Sequence, residues 1–190
     1  MKSLVIFGIS RAGKTTLSKM IVDKYKFNLV SIDAMRSAFS KVLPEHGIHH
    51  RHNQRKPDSE LILIPFVAQY AIRLSEHYLK KIPCLVEGGS CTPKMAKELF
   101  PGEDFKIIAL GYPDISAQDK FKAIRENDIN DWTTTLSDSD LTVRCKENIE
   151  KSKILQDECN KLGVPFLNTS FNRGIILSEF VSGLPEFLSE

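Results

Sequence analysis

The stretch GISRAGKTT, residues 8–16, constrains the fold more than any other part of the chain. It has the spacing G-x-x-x-x-G-K-T and lies between a continuous apolar run, residues 4–7, and a segment with apolar residues at helical spacing. In such a strand–loop–helix unit, backbone N–H groups turn inward and the positive end of the helix faces the loop, so the loop attracts phosphate. Lys14 can then reach the β- and γ-phosphates of a nucleotide, and the Thr15 hydroxyl can bind Mg²⁺.

The sequence therefore predicts a nucleotide-phosphate loop. The residues assigned to it are Gly8, Ile9, Ser10, Arg11, Ala12, Gly13, Lys14, Thr15 and Thr16. A switch GTPase also needs D-x-x-G after the third strand and an N-K-x-D base reader, but here that strand ends LVEGG, and the segment NKLG (160–163) lacks the aspartate. A motor ATPase usually carries apolar residues followed by D-E, and a longer chain. These differences favour phosphoryl transfer to an acceptor.

Short apolar runs alternate with segments of helical periodicity along the whole chain. The predicted strands lie within residues 4–7, 28–32, 82–89, 105–112 and 164–168. This alternation predicts an α/β fold with a mainly parallel sheet. Thr92 and Ser116 are expected to cap helices. Pro65 is expected to kink or restart its helix, and Gly183 with Pro185 to interrupt the last one.

Composition is typical of one soluble globular domain of 190 residues. The formal net charge of +2 is too small to indicate nucleic acid or a membrane as a partner. The four cysteines form no C-x-x-C pair and are expected to be free thiols in a reducing compartment. The longest apolar run, residues 61–68, is broken by Pro65 and is too short to span a membrane, and no signal peptide is evident. We therefore expect a cytoplasmic enzyme or binding protein.

Asp33 and Arg36 are the first candidates for the acceptor side of the reaction. The second predicted strand ends at Asp33 and a helix is expected from Ala34, so Asp33 belongs at the carboxyl edge of the sheet, where open α/β folds bind ligands. Its carboxylate could orient or deprotonate an acceptor hydroxyl, and Arg36 could bind the acceptor or neutralise phosphate charge. The alternative is a helix-capping aspartate with a local arginine partner.

The phosphate loop, the segment SIDAMR (31–36) and the five-strand alternation together resemble the nucleoside monophosphate kinase-like group of P-loop kinases. That group includes adenylate, shikimate and gluconate kinases, chloramphenicol phosphotransferase and the kinase domains of polynucleotide kinases. The resemblance covers most of the chain. It implies one three-layer domain over residues 1–190, an acceptor-binding insertion at about 34–80, a lid at about 126–140, and the use of ATP with Mg²⁺.

The chain departs from adenylate kinases after the third strand. Those enzymes share G-[FY]-P-R there, whose arginine binds the acceptor's phosphate, whereas this sequence has Glu87-Gly88-Gly89-Ser90. In relatives that phosphorylate hydroxyls, an aspartate at the position of Asp33 is the general base and a glycine pair lets the substrate approach the backbone. The resemblance thus implies a hydroxyl acceptor. Glu87 would hold a Mg²⁺-bound water or an acceptor hydroxyl, or it is a buried structural carboxylate.

The resemblance also implies that arginines flanking the lid stabilise charge on the transferred phosphoryl group. Arg125 is expected near the end of the helix before the lid, and Arg144 in the first turn of the helix after it. The alternative is that both are surface arginines. The segment between them is acidic, with Asp128, Asp131, Asp138 and Asp140. Trp132, the only tryptophan, could stack on a base, but an anchoring role is favoured.

A histidine-rich basic segment falls where the insertion is expected. It contains His46, His49, His50, Arg51, His52, Arg55 and Lys56. Three interpretations are open: a solvated loop, a site for an anionic acceptor, or a metal site, for which paired ligand clusters are lacking. The basic charge is compatible with a phosphorylated or carboxylated acceptor, including a nucleic-acid 5′ end. No aromatic residues interleave to stack bases, so a nucleic-acid platform is not favoured.

The sequence therefore predicts a kinase that uses ATP and Mg²⁺ to phosphorylate a hydroxyl of a small-molecule acceptor. Lys14, Asp33, Arg125 and Arg144 are the predicted catalytic residues, and the predicted acceptor-binding residues are Asp33, Arg36, Glu87, Gly88 and Gly89. Two alternatives remain: a nucleoside monophosphate kinase, and a nucleotide-binding regulatory module with little transfer activity.

Overall fold

The computed structural model describes residues 1–49, 55–56, 58–78, 82–127 and 132–189, with the backbone alone for His77 and Tyr78. The strands in this part of the chain are β1 (Ser3–Gly8), β2 (Asn28–Ser31), β3 (Cys84–Gly88), β4 (Phe105–Gly111) and β5 (Phe166–Asn168). The α-helices are α1 (Lys14–Tyr25), α2 (Ile32–Val42), α3 (Ser59–Arg73), α4 (Pro93–Leu99), α5 (Ala117–Asn127), α6 (Asp138–Leu162) and α7 (Arg173–Ser189). Two 3₁₀ helices, Pro44–His46 and Trp132–Thr135, and a π-helical turn, Leu74–Tyr78, complete the regular structure of these residues.

The five strands form one parallel sheet in the order β2-β3-β1-β4-β5. The predicted α/β fold with a parallel sheet is confirmed. Because the strands are parallel, the loops that follow β1, β2 and β3 leave the same edge of the sheet, with β1 next to β3 and β3 next to β2. This edge is where a bound ligand is expected. No helix of the described residues is long and apolar enough to cross a membrane.

Both faces of the sheet are covered, so the central strand is buried throughout. Successive side chains of a strand point to opposite faces. Val5 and Phe7 therefore join the core beneath α2, α3 and α4, while Leu4 and Ile6 join the core beneath α1 and α7. The cysteines contribute to this packing: Cys84, Cys91, Cys145 and Cys159 are all free and buried. The expectation of free thiols is thus confirmed.

The start of α2 differs from the expectation by two residues. The helix begins at Ile32, because the Ser31 hydroxyl accepts a hydrogen bond from the Ala34 N–H and caps it. Asp33 therefore lies in the first turn of α2 and not at the end of β2. The predicted caps Thr92 and Ser116 are confirmed, each accepting a hydrogen bond from the backbone three residues on.

Three other expectations about helices are wrong. Pro65 does not restart its helix, and Gly183 with Pro185 does not interrupt the last one, since α3 and α7 run through them. Both helices bury residues on either side of the proline, and such tertiary packing outweighs local propensity. Arg144 lies in the second turn of α6 and not in the first, because Ser137 caps that helix earlier than expected.

Gly88 and Gly89 differ in what surrounds them. A Cβ on Gly88 would lie 2.5 Å from Cβ of Ile32, so glycine is needed there for α2 to pack on β3. A Cβ on Gly89 would lie 3.7 Å from the Gly8 carbonyl oxygen, an ordinary contact. The close approach that the sequence assigned to an acceptor is therefore made at Gly88 by the protein's own helix.

This contrast predicts different effects of the same substitution. Gly88→Ala should lower the free energy of unfolding by about 1–3 kcal/mol, the usual cost of overpacking a core. Gly89→Ala, the matched control, should change it by about 0.5 kcal/mol or less. Urea denaturation monitored by circular dichroism measures both. Equal losses in the two variants would contradict the packing role of Gly88.

Candidate active site at the carboxyl edge of the sheet

The loop between β1 and α1 has the strained backbone that its glycines anticipate. Gly8 and Gly13 have φ of 136° and 102°, and Arg11 also has a positive φ, 67°. A Cβ on Gly8 would lie 2.1 Å from the Leu110 carbonyl oxygen of β4, so only glycine fits. Lys14 is the first residue of α1, which places the amino end of that helix at the loop. The geometry is that of an anion-binding loop.

Four consecutive carbonyl oxygens of this loop accept hydrogen bonds from side chains. The donors are Lys14 Nζ to Ile9 (2.9 Å), Tyr112 Oη to Ser10 (2.7 Å), Lys120 Nζ to Arg11 (2.9 Å) and Thr169 Oγ1 to Ala12 (2.9 Å). The negative ends of these peptide groups are thus bound by protein and do not face the space where a phosphate would bind. Sequence reasoning missed Tyr112, Lys120 and Thr169, because each lies more than 100 residues from the loop.

Lys14 and Thr15 at the start of α1 lie close to Glu87 of β3; Lys14 and Glu87 are buried, whereas Thr15 is exposed. The Thr15 hydroxyl donates to Glu87 Oε1 at 3.3 Å. Burial lowers the pKa of Lys14, while the nearby Glu87 and Asp33 carboxylates oppose that shift. Burial likewise raises the pKa of Glu87, against the effect of Lys14. Glu87, expected at the end of the third strand, therefore lies beside the phosphate loop.

Thr15 and Glu87 also supply the oxygens that Mg²⁺ prefers. The described residues contain no group of three or more His, Cys, Asp or Glu side chains that could bind a metal ion. A Mg²⁺ ion at Thr15 and Glu87 would therefore need phosphate oxygens and waters to complete its coordination, as is usual for nucleotide-bound magnesium. The residues present fit that kind of site.

Asp33 and Arg36 lie together at the start of α2 but in different environments. The Asp33 side chain is 62% exposed, whereas Arg36 is 1% exposed. Arg36 donates from Nη1 and Nη2 to the two carboxylate oxygens of Glu60 at 2.7 and 2.9 Å, and from Nη2 to Ser90 Oγ at 2.7 Å. Its Nε lies 3.9 Å from Asp33 Oδ1. Arg36 thus connects α2, α3 and the turn after β3. Glu60 and Ser90 were not assigned to the site from sequence.

The described part of the histidine-rich segment packs beside this group. Arg55 donates from Nε to the His49 carbonyl oxygen at 3.0 Å, and its Nη1 lies 3.4 Å from Glu60 Oε1. Lys56 Nζ donates to the Glu45 carbonyl oxygen at 2.8 Å. His50, Arg51 and His52 lie outside the described residues. What the structure describes of the segment therefore contacts Glu60 through Arg55.

The connection between α5 and α6 is organised by Arg125. Its guanidinium donates to the carbonyl oxygens of Thr133 (3.0 Å) and Leu136 (2.8 Å) and to Asp138 Oδ1 (2.7 and 3.1 Å). These contacts differ from the expected contact with a transferred phosphoryl group. In this structure Arg125 stabilises the connection itself. The sequence predicted that Arg125 lies beside the connection, but not which groups accept its hydrogen bonds.

Trp132 and Thr133 join the same connection to the phosphate loop. Arg11 donates from Nη2 to Thr133 Oγ1 at 3.0 Å, and Thr133 is buried. Cζ of Arg11 and Cζ of Arg144 each lie 5.9 Å from the Trp132 ring centroid, although the ring is half exposed. Arg11 of the phosphate loop thus contacts the connection between α5 and α6 directly. Asp128 and Asp131 lie outside the described residues.

Comparison with solved structures supports this reading of the fold. A gluconokinase from Sinorhizobium meliloti 1021 has a TM-score of 0.64 at 14% identity, covering 99% of this chain and 94% of that one. A shikimate kinase from Bacteroides thetaiotaomicron has a TM-score of 0.58 at 14% identity over the whole of both chains. A dephospho-CoA kinase from Campylobacter jejuni has 0.54 at 14%, covering 98% and 97%.

No family model and no curated protein sequence matches this chain. At such low identity, likeness between structures shows the fold alone. The chain has the α/β fold of small P-loop kinases, with the sheet order given above.

The side-chain bonds to the loop carbonyls predict an effect on nucleotide affinity. Tyr112→Phe removes the bond to Ser10 and should raise the Kd for ATP about three- to tenfold, since one such bond contributes about 1 kcal/mol. Tyr25→Phe is the matched control: it removes a 2.8 Å bond to the Val181 carbonyl oxygen at the far end of α1. Isothermal titration calorimetry measures both. Unchanged affinity in Tyr112→Phe, or equal weakening in Tyr25→Phe, would contradict this role.

Proposed function

We propose that this protein is a kinase that transfers the γ-phosphoryl group of ATP, with Mg²⁺, to a hydroxyl of a small-molecule acceptor. The observation that carries the proposal is the convergence of three features at one edge of the sheet. Lys14 begins α1 after β1, Glu87 lies in the last two residues of β3 beside Thr15, and Asp33 follows β2. Asp33 and Glu87 are both close enough to Lys14 to oppose the lowering of its pKa.

The residues from Gly8 to Thr16 would bind the nucleotide phosphates. Inward N–H groups and the amino end of α1 attract the phosphate oxygens, and Lys14 adds a charge that is buried and hence weakly screened. Thr15 and Glu87 would hold Mg²⁺, which neutralises phosphate charge when bound. Glu87 acting through a Mg²⁺-bound water is compatible with its burial next to Thr15.

Asp33 would be the general base. Its carboxylate is exposed, so an acceptor can reach it, and it lies on the acceptor side of Lys14. It would accept the proton of the acceptor hydroxyl as the oxygen attacks phosphorus and the bond to ADP breaks. Arg36 would support this carboxylate from the interior of the protein.

The connection between α5 and α6, within residues 126–140, would be the lid over ATP. Arg144 and Arg11 would approach the phosphates, and Arg125 would keep the lid folded, given its four donated hydrogen bonds. The chain would act as a single kinase domain, with residues 34–80 contributing the acceptor-binding segment.

The role of Asp33 gives the sharpest test. Asp33→Asn should lower kcat at least about 100-fold, the usual contribution of a general base, and leave the Kd for ATP unchanged. Ser31→Ala is the matched control, because it weakens the start of the same helix by about 1 kcal/mol and keeps the carboxylate. Coupled ADP release and calorimetry measure the two quantities. Loss of ATP affinity in step with kcat would reduce Asp33 to a structural residue.

An acceptor panel separates the alternatives. Nucleoside monophosphates, nucleosides, sugars, polyols and oligonucleotide 5′ ends are supplied with ATP and Mg²⁺, and ADP release is measured. Transfer to monophosphates alone would identify a nucleoside monophosphate kinase. ATP binding without ADP release for any acceptor would favour a nucleotide-binding regulatory module. The Glu87-Gly88-Gly89-Ser90 segment, which lacks an arginine, favours a hydroxyl acceptor instead.

A further inference from the structure

We propose that the acceptor is an uncharged polyhydroxyl compound, and that Glu60 makes the site discriminate against phosphorylated and carboxylated acceptors. This inference rests on the proposed function and names its substrate class. It differs from the expectation drawn from the basic residues of the sequence. It follows from what Arg36 contacts, from the charges around it, and from its buried Nε, which has no hydrogen-bond partner among the described residues.

The Arg36 guanidinium is not available for an acidic group. Both terminal nitrogens donate to the Glu60 carboxylate at 2.7 and 2.9 Å, in the two-pronged geometry by which arginine binds a carboxylate or phosphate. Ser90 accepts a further bond at 2.7 Å. An anionic acceptor would have to displace Glu60 and leave that carboxylate without its partner. Glu60 therefore occupies the position that the acid of a substrate would take.

The described charges on the acceptor side balance without a ligand. The described residues that interact here are the cations Arg11, Lys14, Arg36 and Arg55 and the carboxylates Asp33, Glu60 and Glu87. Arg11, Lys14 and Glu87 lie at the phosphate loop, so Arg36, Arg55, Asp33 and Glu60 remain on the acceptor side. These four include as many carboxylates as cations. A second anion beside ATP would therefore meet no uncompensated positive charge among them, and its desolvation would be costly.

One buried nitrogen of Arg36 donates no hydrogen bond to the described residues. Its Nε is buried and has no hydrogen-bond partner among the described residues, and it lies 3.9 Å from Asp33 Oδ1. A hydroxyl oxygen that displaced the atoms now covering Nε would lie about 2.8 Å from both atoms, accepting from Nε and donating to Asp33 with an angle of about 90° between the two bonds. A hydroxyl can accept and donate at once, whereas a carboxylate or phosphate dianion can only accept. This pair thus matches the group that the proposed reaction would phosphorylate.

Matched acceptors test the inference. A hexitol, the corresponding hexonate and a hexose phosphate are supplied with ATP and Mg²⁺, and kcat/KM is measured for each. The wild type should favour the neutral compound over both acids by at least about tenfold, the discrimination expected when a fixed charge opposes a ligand. Equal or better use of the hexonate or the hexose phosphate would overturn the inference, while leaving the proposed kinase function intact.

Substitution of Glu60 tests its proposed role in discriminating against acidic acceptors. Glu60→Gln keeps an oxygen for Arg36 but removes the negative charge, so the preference for the neutral acceptor should shrink about tenfold. Glu60→Asp, which keeps the charge, should retain the preference. Glu98→Gln is the control, since Glu98 forms an exposed pair with Lys94 on α4. Unchanged selectivity in Glu60→Gln would overturn the role of Glu60. Should that variant not fold, the wild-type comparison still decides the substrate class.

A binding measurement separates this inference from the proposed function. The three compounds are titrated into protein saturated with a non-hydrolysable ATP analogue and Mg²⁺, and heat is recorded. If no acceptor of the earlier panel is phosphorylated either, the proposed function fails, but binding of the hexitol in preference to both acids would still support a neutral site. Preference for an acid, or no binding of any of the three, would overturn the inference.

Discussion

The strained phosphate loop is the constraint on which the rest of the site depends. A non-glycine residue such as Arg11 at positive φ costs about 1–3 kcal/mol and persists only where the surroundings compensate. The compensation comes from side chains that bind successive loop carbonyls, each contributing about 0.5–1.5 kcal/mol. Because Tyr112, Lys120 and Thr169 come from the β4 and β5 side of the sheet, the loop conformation requires that side of the fold to be assembled.

Buried charges connect this loop to the acceptor side. Lys14 and Glu87 are both largely removed from water, and each makes the other's charged form less costly. The buried Arg36 and the partly exposed Glu60 form a direct ion pair through two hydrogen bonds. Removing Glu60 or Glu87 would leave the buried cation beside it less compensated, which is far more destabilising than the net value of the interaction. The cations of the site thus depend on these carboxylates.

The sequence predicted what is local and periodic. The loop spacing lies within nine consecutive residues, and buried parallel strands appear as short apolar runs, so the phosphate loop and the sheet were both foreseeable. The carboxyl edge followed from the predicted parallel strands, and in the structure Glu87 lies near Thr15 at this edge. Helix ends were less certain, because a single hydroxyl, Ser31, moved the start of α2.

What the sequence did not predict are side-chain pairs between distant elements. Arg36 is paired with Glu60 of α3, and Arg125 with the carbonyl groups of the α5–α6 connection. An arginine has the same appearance in a sequence whether its partner is a substrate or the protein, since its five donors suit either. Only the fold of the chain determines which hydrogen-bond acceptor lies nearest to the guanidinium. Contacts in the folded chain also explain why Pro65 and Pro185 do not end their helices, since both helices bury residues on either side of the proline.

The contact of Arg11 with the Trp132 segment has an optical consequence. Trp132 is the only tryptophan of the chain, so indole emission reports from the α5–α6 connection alone. Two guanidinium groups lie 5.9 Å from its ring, and one of them belongs to the phosphate loop. The excited state of indole is sensitive to nearby charge. The protein therefore carries its own unlabelled fluorophore at the junction of the loop and the connection.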